Sequence, residues 1–137
     1  MMKTDGMLSR QPCGEQEQEA LGAALAIACS GRLLVFLRGD LGAGKTTLVR
    51  GFLRGLGYQG AVKSPTYTLI EPYQVGDRSI YHLDLYRVSD PGELEYLGLR
   101  EILAETAIVL IEWPQRGEGW LPIPDLDIDI RHAGEHR

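Results

Sequence analysis

Residues 39–47, with the sequence GDLGAGKTT, constrain this chain more than any other stretch. They fit the pattern G-x-x-x-x-G-K-[ST], in which backbone N–H groups surround phosphate oxygens. A short apolar run at 33–37 precedes them and predicts a buried strand. The glycines therefore lie between a strand end and a helix start, where the helix dipole favours an anion. The helix that follows has its stop at Gly57 and an apolar face made of Leu48, Val49, Phe52, Leu53 and Leu56.

Each key residue of this loop has an expected task. Gly42 and Gly44 carry no Cβ, so the backbone can approach phosphate oxygens closely. Lys45 is expected to reach the β- and γ-phosphates, and the Thr46 hydroxyl to bind Mg²⁺. The alternative is a glycine-rich turn that matches by chance, but the strand–loop–helix context favours nucleotide binding.

Composition limits the classes of protein to which the chain can belong. Its 137 residues, 44% of them hydrophobic, are enough for one domain with a single core. The net charge of −5 indicates a poor independent nucleic-acid binder, because Lys and Arg supply most non-specific affinity for phosphates. If the pathway of this protein involves nucleic acid, we expect a partner to hold it.

The two cysteines and the apolar segments indicate a cytosolic protein. Cys13 and Cys29 form neither a metal-ligand spacing nor a disulfide framework, which is typical of a reducing compartment. The N-terminus lacks the pattern of a signal peptide, and the apolar run at 21–29 is too short to span a bilayer.

The sequence predicts one domain and further helices in addition to the one after the phosphate loop. We expect residues 1–14 to be a flexible N-terminus and 15–137 to form a single domain. The stretch 15–30 predicts an amphipathic helix with Leu21, Leu25 and Ala28 toward the core. A second helix is expected to start within 89–93, break at Gly98 and restart over 99–103.

The strand patterns predict an α/β fold with a mixed sheet. Strands are expected at 67–70 and 79–84, with a turn at Gly76-Asp77. A gap this short cannot hold a crossover helix, so the two strands should form an antiparallel hairpin. The run at 107–111 predicts a buried central strand, and the alternation at 126–130 predicts a half-exposed one. Together with the phosphate loop, this is a P-loop NTPase-like sheet flanked by helices.

Two acids follow strands in a way that suits a metal site. Glu112 ends the apolar run 107–111, and Asp84 ends the second hairpin strand. Ligands of open α/β sheets bind outside the carboxyl ends of parallel strands, which favours Glu112 as a metal-side carboxylate. Asp84 is a second candidate if its strand end approaches the loop. The alternative for either acid is a solvated strand-end residue.

Other polar and aromatic residues allow two interpretations each. Thr66 could offer a hydroxyl to Mg²⁺ or the γ-phosphate, as switch loops do, or could simply begin a strand. His82 is more often a structural residue than a base in such a pattern, and Trp113 is either a packed aromatic or part of a nucleotide pocket. Arg87 and Arg116 are interpreted first as solvated and only second as charge-stabilising groups.

Four motifs of the sequence are informative together: GDLGAGKTT at 39–47, VKSPTYTL at 62–69, YHLDLYR at 81–87 and IEWP at 111–114. With these motifs the chain resembles the TsaE (YjeE) family of bacterial ATPases in tRNA threonylcarbamoyladenosine biosynthesis. The first motif alone indicates only a phosphate loop, whereas the other three are far more specific. Their order and spacing also match, so the resemblance covers roughly residues 15–130.

The resemblance implies a cytoplasmic protein that binds ATP with Mg²⁺ and works with the proteins TsaD and TsaB. That system modifies the adenosine next to the anticodon of certain tRNAs, with TsaD performing the transfer and the TsaE-like protein supporting repeated turnover. Members of the family usually continue beyond the final strand, so the resemblance also implies a chain truncated at its C-terminus.

The family's functional positions carry over to this sequence residue by residue. The resemblance implies that Thr46 and Glu112 flank Mg²⁺, that Asp84 lies near the γ-phosphate and that Thr66 belongs to a switch-like loop. With Lys45, the acids and Thr66 form the expected catalytic set. The expected nucleotide-binding set is Glu15, Leu41, Gly42, Ala43, Gly44, Lys45, Thr46, Thr47 and Trp113.

The expected reaction is phosphoryl transfer from ATP to water, slow in the isolated protein because no activating arginine or strong base is evident. One rival is a small-molecule or nucleotide kinase, but we find no insertion that could supply an acceptor pocket or lid. The other rival is an ATP-binding assembly module that does not hydrolyse its nucleotide. Phosphate on an acceptor would favour the first rival, and retained ATP the second.

Overall fold

The computed structural model describes residues 14–28, 31–40, 44–65 and 69–131. Of the predicted flexible N-terminus, only Gly14 lies within these ranges, and it begins the first helix. A short 3-10 helix at Pro114–Gly117 follows the fourth strand. The other elements, in chain order, are α1 Gly14–Ala28, β1 Leu33–Arg38, α2 Lys45–Leu56, β2 Ile70–Val75, β3 Arg78–Asp84, α3 Glu93–Tyr96, α4 Leu99–Ala104, β4 Ala107–Glu112 and β5 Leu126–Asp129.

The five strands form one mixed sheet in the order β2-β3-β4-β1-β5. Strands β1, β3, β4 and β5 are parallel, and β2 pairs antiparallel with β3 at the edge. The predicted mixed α/β fold is thereby confirmed. In the register of the central strands, Glu112 lies beside Leu37 of β1 on one side and Asp84 of β3 on the other. The last residues of β3 and β4 are therefore neighbours at the carboxyl edge of the sheet.

Apolar side chains cover both faces of this sheet. Alternate residues of β1 show the division, because Val35 packs in the cluster with α1 and α2, whereas Phe36 packs in the cluster with α3 and α4. Every residue of β4 is buried, as expected for a central strand with an uninterrupted apolar run. Strand β5 alternates between partly buried and exposed residues, as its sequence predicts.

The hairpin forms where it was predicted, but its first strand lies later in the sequence. Residues 66–68 are outside the described ranges, and β2 runs over Ile70–Val75 rather than 67–70. Leu69 has a φ of 72°, which is incompatible with an extended strand and sets the beginning of β2. Pro72 is tolerated because β2 is an edge strand. The turn at Gly76 is confirmed.

Helix α1 packs Leu21 and Leu25 against the core as predicted, but its fully buried residues differ from those expected. Ala28 was expected to face the core but is exposed, whereas Gly22 and Ala26 are buried. The reason is close packing against α2: a Cβ on Gly22 would overlap the carbonyl of Leu48, and a Cβ on Gly51 would overlap the backbone of Glu19. Small residues therefore form the closest part of the contact between α1 and α2.

The helical segment before β4 follows its sequence pattern. Helix α3 ends before Gly98, whose φ of 80° places it in the left-handed region, and α4 begins at the next residue. Across the described ranges of the chain, no helix has the length and apolar character needed to cross a membrane.

The close approach of α1 and α2 predicts that Gly51→Ala destabilises the protein. Alanine has the higher helix propensity by about 1 kcal/mol, but its methyl group would overlap the α1 backbone. We expect the free energy of unfolding to fall by about 1–3 kcal/mol, measured by chemical denaturation. Gly92→Ala is the control, because a Cβ there meets only ordinary contacts and should change stability by less than about 0.5 kcal/mol. A Gly51→Ala variant that is more stable than wild type would contradict this packing.

Candidate functional site

The candidate site begins where β1 passes into α2. Gly39 follows β1 with a φ of 150°, and Gly44 precedes α2 with a φ of 99°, a conformation that favours glycine. Gly44 makes no side-chain hydrogen bond to the helix, which leaves the N–H groups of the first turn available to an anion. Leu41, Gly42 and Ala43 lie outside the described residues.

Helix α1 braces this loop through a contact that the sequence did not reveal. The side-chain amide of Gln18 donates a hydrogen bond of 3.1 Å to the carbonyl of Gly44. The same carbonyl accepts the first helical bond of α2 from the Leu48 N–H, at 3.0 Å. The backbone of Gly44 is therefore held from two sides at the mouth of the helix.

Lys45 is the cation of the site and is almost fully buried. Its Nζ donates to the Gly39 carbonyl at 2.6 Å and lies 3.7 Å from Oε1 of Glu112. The same nitrogen lies 4.5 Å from the centre of the Trp113 ring, within the range of a cation–π contact. The lysine thus offsets the charge of Glu112 while it contacts the phosphate loop.

Glu112 has a different partner for each of its carboxylate oxygens. Oε1 faces Lys45, and Oε2 lies 2.6 Å from Nε2 of His82. His82 was predicted to be a structural residue; it is fully buried, and its partner is the candidate metal ligand. Lys45, Asp84 and Glu112 each expose only 5% of their surface, so the alternative of solvated strand-end acids does not hold.

Asp84 lies beside Glu112 in the parallel register and accepts a hydrogen bond of 3.0 Å from the Tyr86 N–H. Burial raises the pKa of Asp84, and the neighbouring charge of Glu112 raises it further. The Tyr86 N–H, Lys45 and His82 act in the opposite direction without reversing the shift. Two carboxylates so close together form a site that a cation would stabilise.

Trp113 closes the site from the side of β4. It adopts a left-handed backbone conformation, with φ 57° and ψ 50°, directly after Glu112. Such conformations are uncommon for bulky residues and cluster at functional sites. The ring contacts Tyr86 at a centroid distance of 4.9 Å. Its Nε1 is buried and has no hydrogen-bond partner among the described residues.

An open depression of about 490 Å³ adjoins this cluster. It lies outside the carboxyl ends of β1, β4 and β5, where ligands of open α/β sheets bind. Both polar and apolar groups line it, including the carboxylate of the last residue of β5 and a guanidinium from the segment after β5. The lining residues are Gly39, Asp40, Trp113, Gln115, Asp129, Ile130 and Arg131.

The oxygen donors at this site suit a metal ion that is also bound by atoms of a ligand. Within the described ranges, no group of three or more His, Cys, Asp or Glu side chains is arranged to hold a metal by itself. Mg²⁺ is usually bound by one or two protein oxygens together with substrate phosphates and water. The carboxylate of Glu112 and the hydroxyl of Thr46, in the first turn of α2, are donors of that kind.

The predicted site residues thus fall into three groups. Lys45, Asp84, Glu112 and Trp113 are brought together, with Gly44, Thr46 and Thr47 at the adjoining helix start. Glu15 is exposed on α1, with its carboxylate 3.9 Å from Arg50. Arg116 is exposed and lies 5.4 Å from the Tyr86 ring centre, as its solvated interpretation allows. Thr66 lies outside the described residues.

The matching family model, described as "Threonylcarbamoyl adenosine biosynthesis protein TsaE", covers residues 13–137. The chain belongs to the TsaE family. The resemblance inferred from the four motifs is thereby confirmed. The family description names threonylcarbamoyl adenosine biosynthesis as the process in which TsaE proteins act.

Two curated TsaE proteins and one crystal structure illustrate the similarity. The Haemophilus influenzae protein is 52% identical over 105 residues, which are 77% of this chain and 66% of that protein. The Bacillus subtilis protein is 41% identical over 120 residues, covering 88% of this chain and 75% of the relative. A crystal structure of Bacillus subtilis YdiB superposes with a TM-score of 0.75 at 35% identity, covering 90% of this chain and 75% of that one. The chain thus spans about two-thirds to three-quarters of these relatives.

The raised pKa of Asp84 predicts that Asp84→Asn stabilises the protein without nucleotide or Mg²⁺. Between the unfolded pKa of about 3.9 and the raised folded value, the folded state binds more protons than the unfolded state. The stability of the wild type therefore falls as pH rises through that window. Asparagine does not titrate and can still accept the Tyr86 N–H bond.

We expect the variant to have the larger free energy of unfolding at neutral pH, with a difference that shrinks as pH falls toward about 4. Denaturation in a chelating buffer across this pH range measures it. Asp77→Asn, in the exposed hairpin turn, is the control and should change stability by less than about 0.5 kcal/mol. A wild-type advantage that grows with pH would contradict the account of Asp84.

Proposed function

We propose that this chain binds ATP with Mg²⁺ in the cytoplasm and hydrolyses it in support of a TsaD–TsaB complex. The reaction supported would be threonylcarbamoyl modification of the tRNA adenosine next to the anticodon. One observation carries the proposal. The buried ammonium of Lys45 and the buried carboxylates of Asp84 and Glu112 converge at the mouth of α2, beside the phosphate loop.

This arrangement suits a triphosphate for electrostatic reasons. The first turn of α2 offers N–H groups and the positive end of a helix dipole, both of which favour phosphate. Lys45 adds a full positive charge at the same place. Its Nζ is bonded to the Gly39 carbonyl and faces Glu112, and ATP binding would exchange these partners for phosphate oxygens.

Mg²⁺ fits the donor set of Thr46 and Glu112, which would hold it together with phosphate oxygens. When bound, Mg²⁺ offsets the negative charge that develops on the transferring phosphoryl group. Glu112 is held in place before any ligand arrives, because each of its oxygens already faces a buried partner. Asp84, on the neighbouring strand end, is the carboxylate expected on the γ-phosphate side.

The part of the nucleotide beyond its phosphates could bind in the neighbouring depression. The depression between the phosphate loop and the segment after β5 offers the Trp113 ring and several polar groups. The buried Nε1 of Trp113 has no partner among the described residues, and an acceptor on a bound ligand would remove a cost of about 1–3 kcal/mol. This favours a nucleoside group near Trp113.

The net charge of the chain supports a dependence on protein partners for any action on tRNA. With a net charge of −5, the chain is a poor independent binder of tRNA. Any contribution to tRNA modification would therefore pass through protein partners, which we propose to be TsaD and TsaB. The isolated chain is expected to hydrolyse ATP slowly and to be stimulated by that complex.

Nucleotide binding is predicted to require Lys45. The chain has two tryptophans, so Trp120→Phe leaves Trp113, in contact with Lys45, as the sole tryptophan and the fluorescent reporter. In that background, Lys45→Met should weaken ATP binding about 10- to 100-fold through loss of charge-assisted bonds worth about 1.5–3 kcal/mol. Arg100→Ala, at an exposed position on α4, is the control for loss of a positive charge. Equal ATP affinity in the two variants would contradict the proposed site.

Hydrolysis is predicted to be stimulated in the reconstituted complex with TsaD, TsaB and tRNA. Phosphate release should exceed that of the isolated chain, and Glu112→Gln should lower the stimulated rate at least about 10-fold by weakening the hold on Mg²⁺. Equal rates with and without the partners would contradict stimulation. ATP that remains bound but intact in the full complex would instead support an assembly module, and phosphate on a small acceptor would support a kinase.

A further inference from the structure

His82 is a buried polar residue that the proposed reaction does not use directly. It lies on β3, is fully buried and pairs in register with Leu110 of β4. A leucine in such a position would avoid the cost of removing a polar ring from water. The hydrogen bond to Glu112 is therefore the feature of His82 that a simple packing role does not explain.

The two oxygens of the Glu112 carboxylate have different surroundings. Oε2 lies 2.6 Å from His82 Nε2, a short contact of the kind that hydrogen bonds to a charged acceptor form. Oε1 is left on the side of Lys45, 3.7 Å from Nζ. One oxygen is thus anchored inside the sheet, while the other is presented toward the phosphate loop.

The surroundings of the ring also indicate which nitrogen carries the proton. Nδ1 is buried and has no partner among the described residues, whereas Nε2 faces a carboxylate. A proton on Nδ1 would be a buried donor without an acceptor, and it is the bond made by one ring nitrogen that sets the tautomer. The arrangement therefore corresponds to Nε2–H donating to Glu112.

We infer that His82 is a positioning residue, which by donating Nε2–H to Oε2 of Glu112 holds Oε1 in the orientation that binds Mg²⁺. The inference rests on the proposed function. Hydrogen-bonded partners of metal ligands contribute about 10- to 100-fold to metal affinity or activity. His82 would act only through Glu112, so it should control the Mg²⁺ dependence of nucleotide binding and leave Mg²⁺-free binding unchanged.

The test compares two variants of His82 in the Trp120→Phe background. His82→Met supplies an apolar side chain of similar length without a donor, whereas His82→Gln retains an N–H donor. The measurement is the Mg²⁺ concentration that gives half of the Mg²⁺-dependent gain in ATP binding, followed by Trp113 fluorescence. We expect His82→Met to raise this concentration about 10- to 100-fold and His82→Gln to restore it to within about threefold.

A matched control removes a hydrogen bond from the same strand. Tyr81→Phe deletes an exposed contact with Glu105, 2.9 Å from the hydroxyl, and should leave the Mg²⁺ dependence unchanged. In a chelating buffer, all variants should bind ATP as the wild type does, because His82 acts only through the Mg²⁺ ligand Glu112. A merely structural loss would instead weaken ATP binding both with and without Mg²⁺.

The outcomes separate the two proposals. A His82→Met variant with wild-type Mg²⁺ dependence, or a His82→Gln variant as impaired as His82→Met, would overturn the role of His82. Wild-type protein without any Mg²⁺-dependent nucleotide binding would overturn the proposed function itself.

A spectroscopic measurement on folded protein with His82 intact tests the hydrogen bond even if the variants do not fold. The chain has three histidines, and replacing His132 and His136 by glutamine leaves the His82 signal alone. A long-range ¹H–¹⁵N spectrum of that protein should show the Nε2–H tautomer. A proton on Nδ1 alone would overturn the inference.

Discussion

The structure depends on a buried carboxylate, that of Glu112, which is held by His82 on one side and faces Lys45 on the other. A charge buried in a parallel sheet is costly unless it is paired and hydrogen-bonded. Here the compensation comes from two other elements, β3 and the first residue of α2. The same carboxylate therefore links the central strand to the segment after β1, at the edge of the sheet where we propose that a nucleotide binds.

Several features of the site lower the stability of the fold. Three features each cost stability: the raised pKa of Asp84, the left-handed Trp113, and its indole N–H, which has no partner among the described residues. They occur together at one edge of the sheet, while both faces of the sheet are covered by apolar residues. Such local costs are typical of a site that a ligand completes, because phosphates, a cation and a nucleoside would satisfy the same groups.

Local patterns predicted much of this arrangement. The strand and helix that flank the glycine-rich motif, the hairpin turn and the acids at the ends of β3 and β4 follow from short stretches of sequence. The bond between His82 and Glu112 joins residues 30 positions apart and arises only because β3 pairs with β4. The contact of Gln18 with Gly44 likewise depends on how α1 packs on α2. Periodicity could not foresee either contact, nor that α1 would bury glycine rather than Ala28.

The central claim is that a metal–nucleotide complex binds where Glu112, Asp84 and Lys45 converge. Crystals grown with Mn²⁺ in place of Mg²⁺ and a non-hydrolysable ATP analogue test it most directly, because the anomalous signal locates the metal without reference to the protein. We predict a single Mn²⁺ peak within coordination distance of Glu112 and Thr46, with phosphates at the first turn of α2. A nucleotide bound elsewhere, or a metal that touches neither residue, would contradict the account.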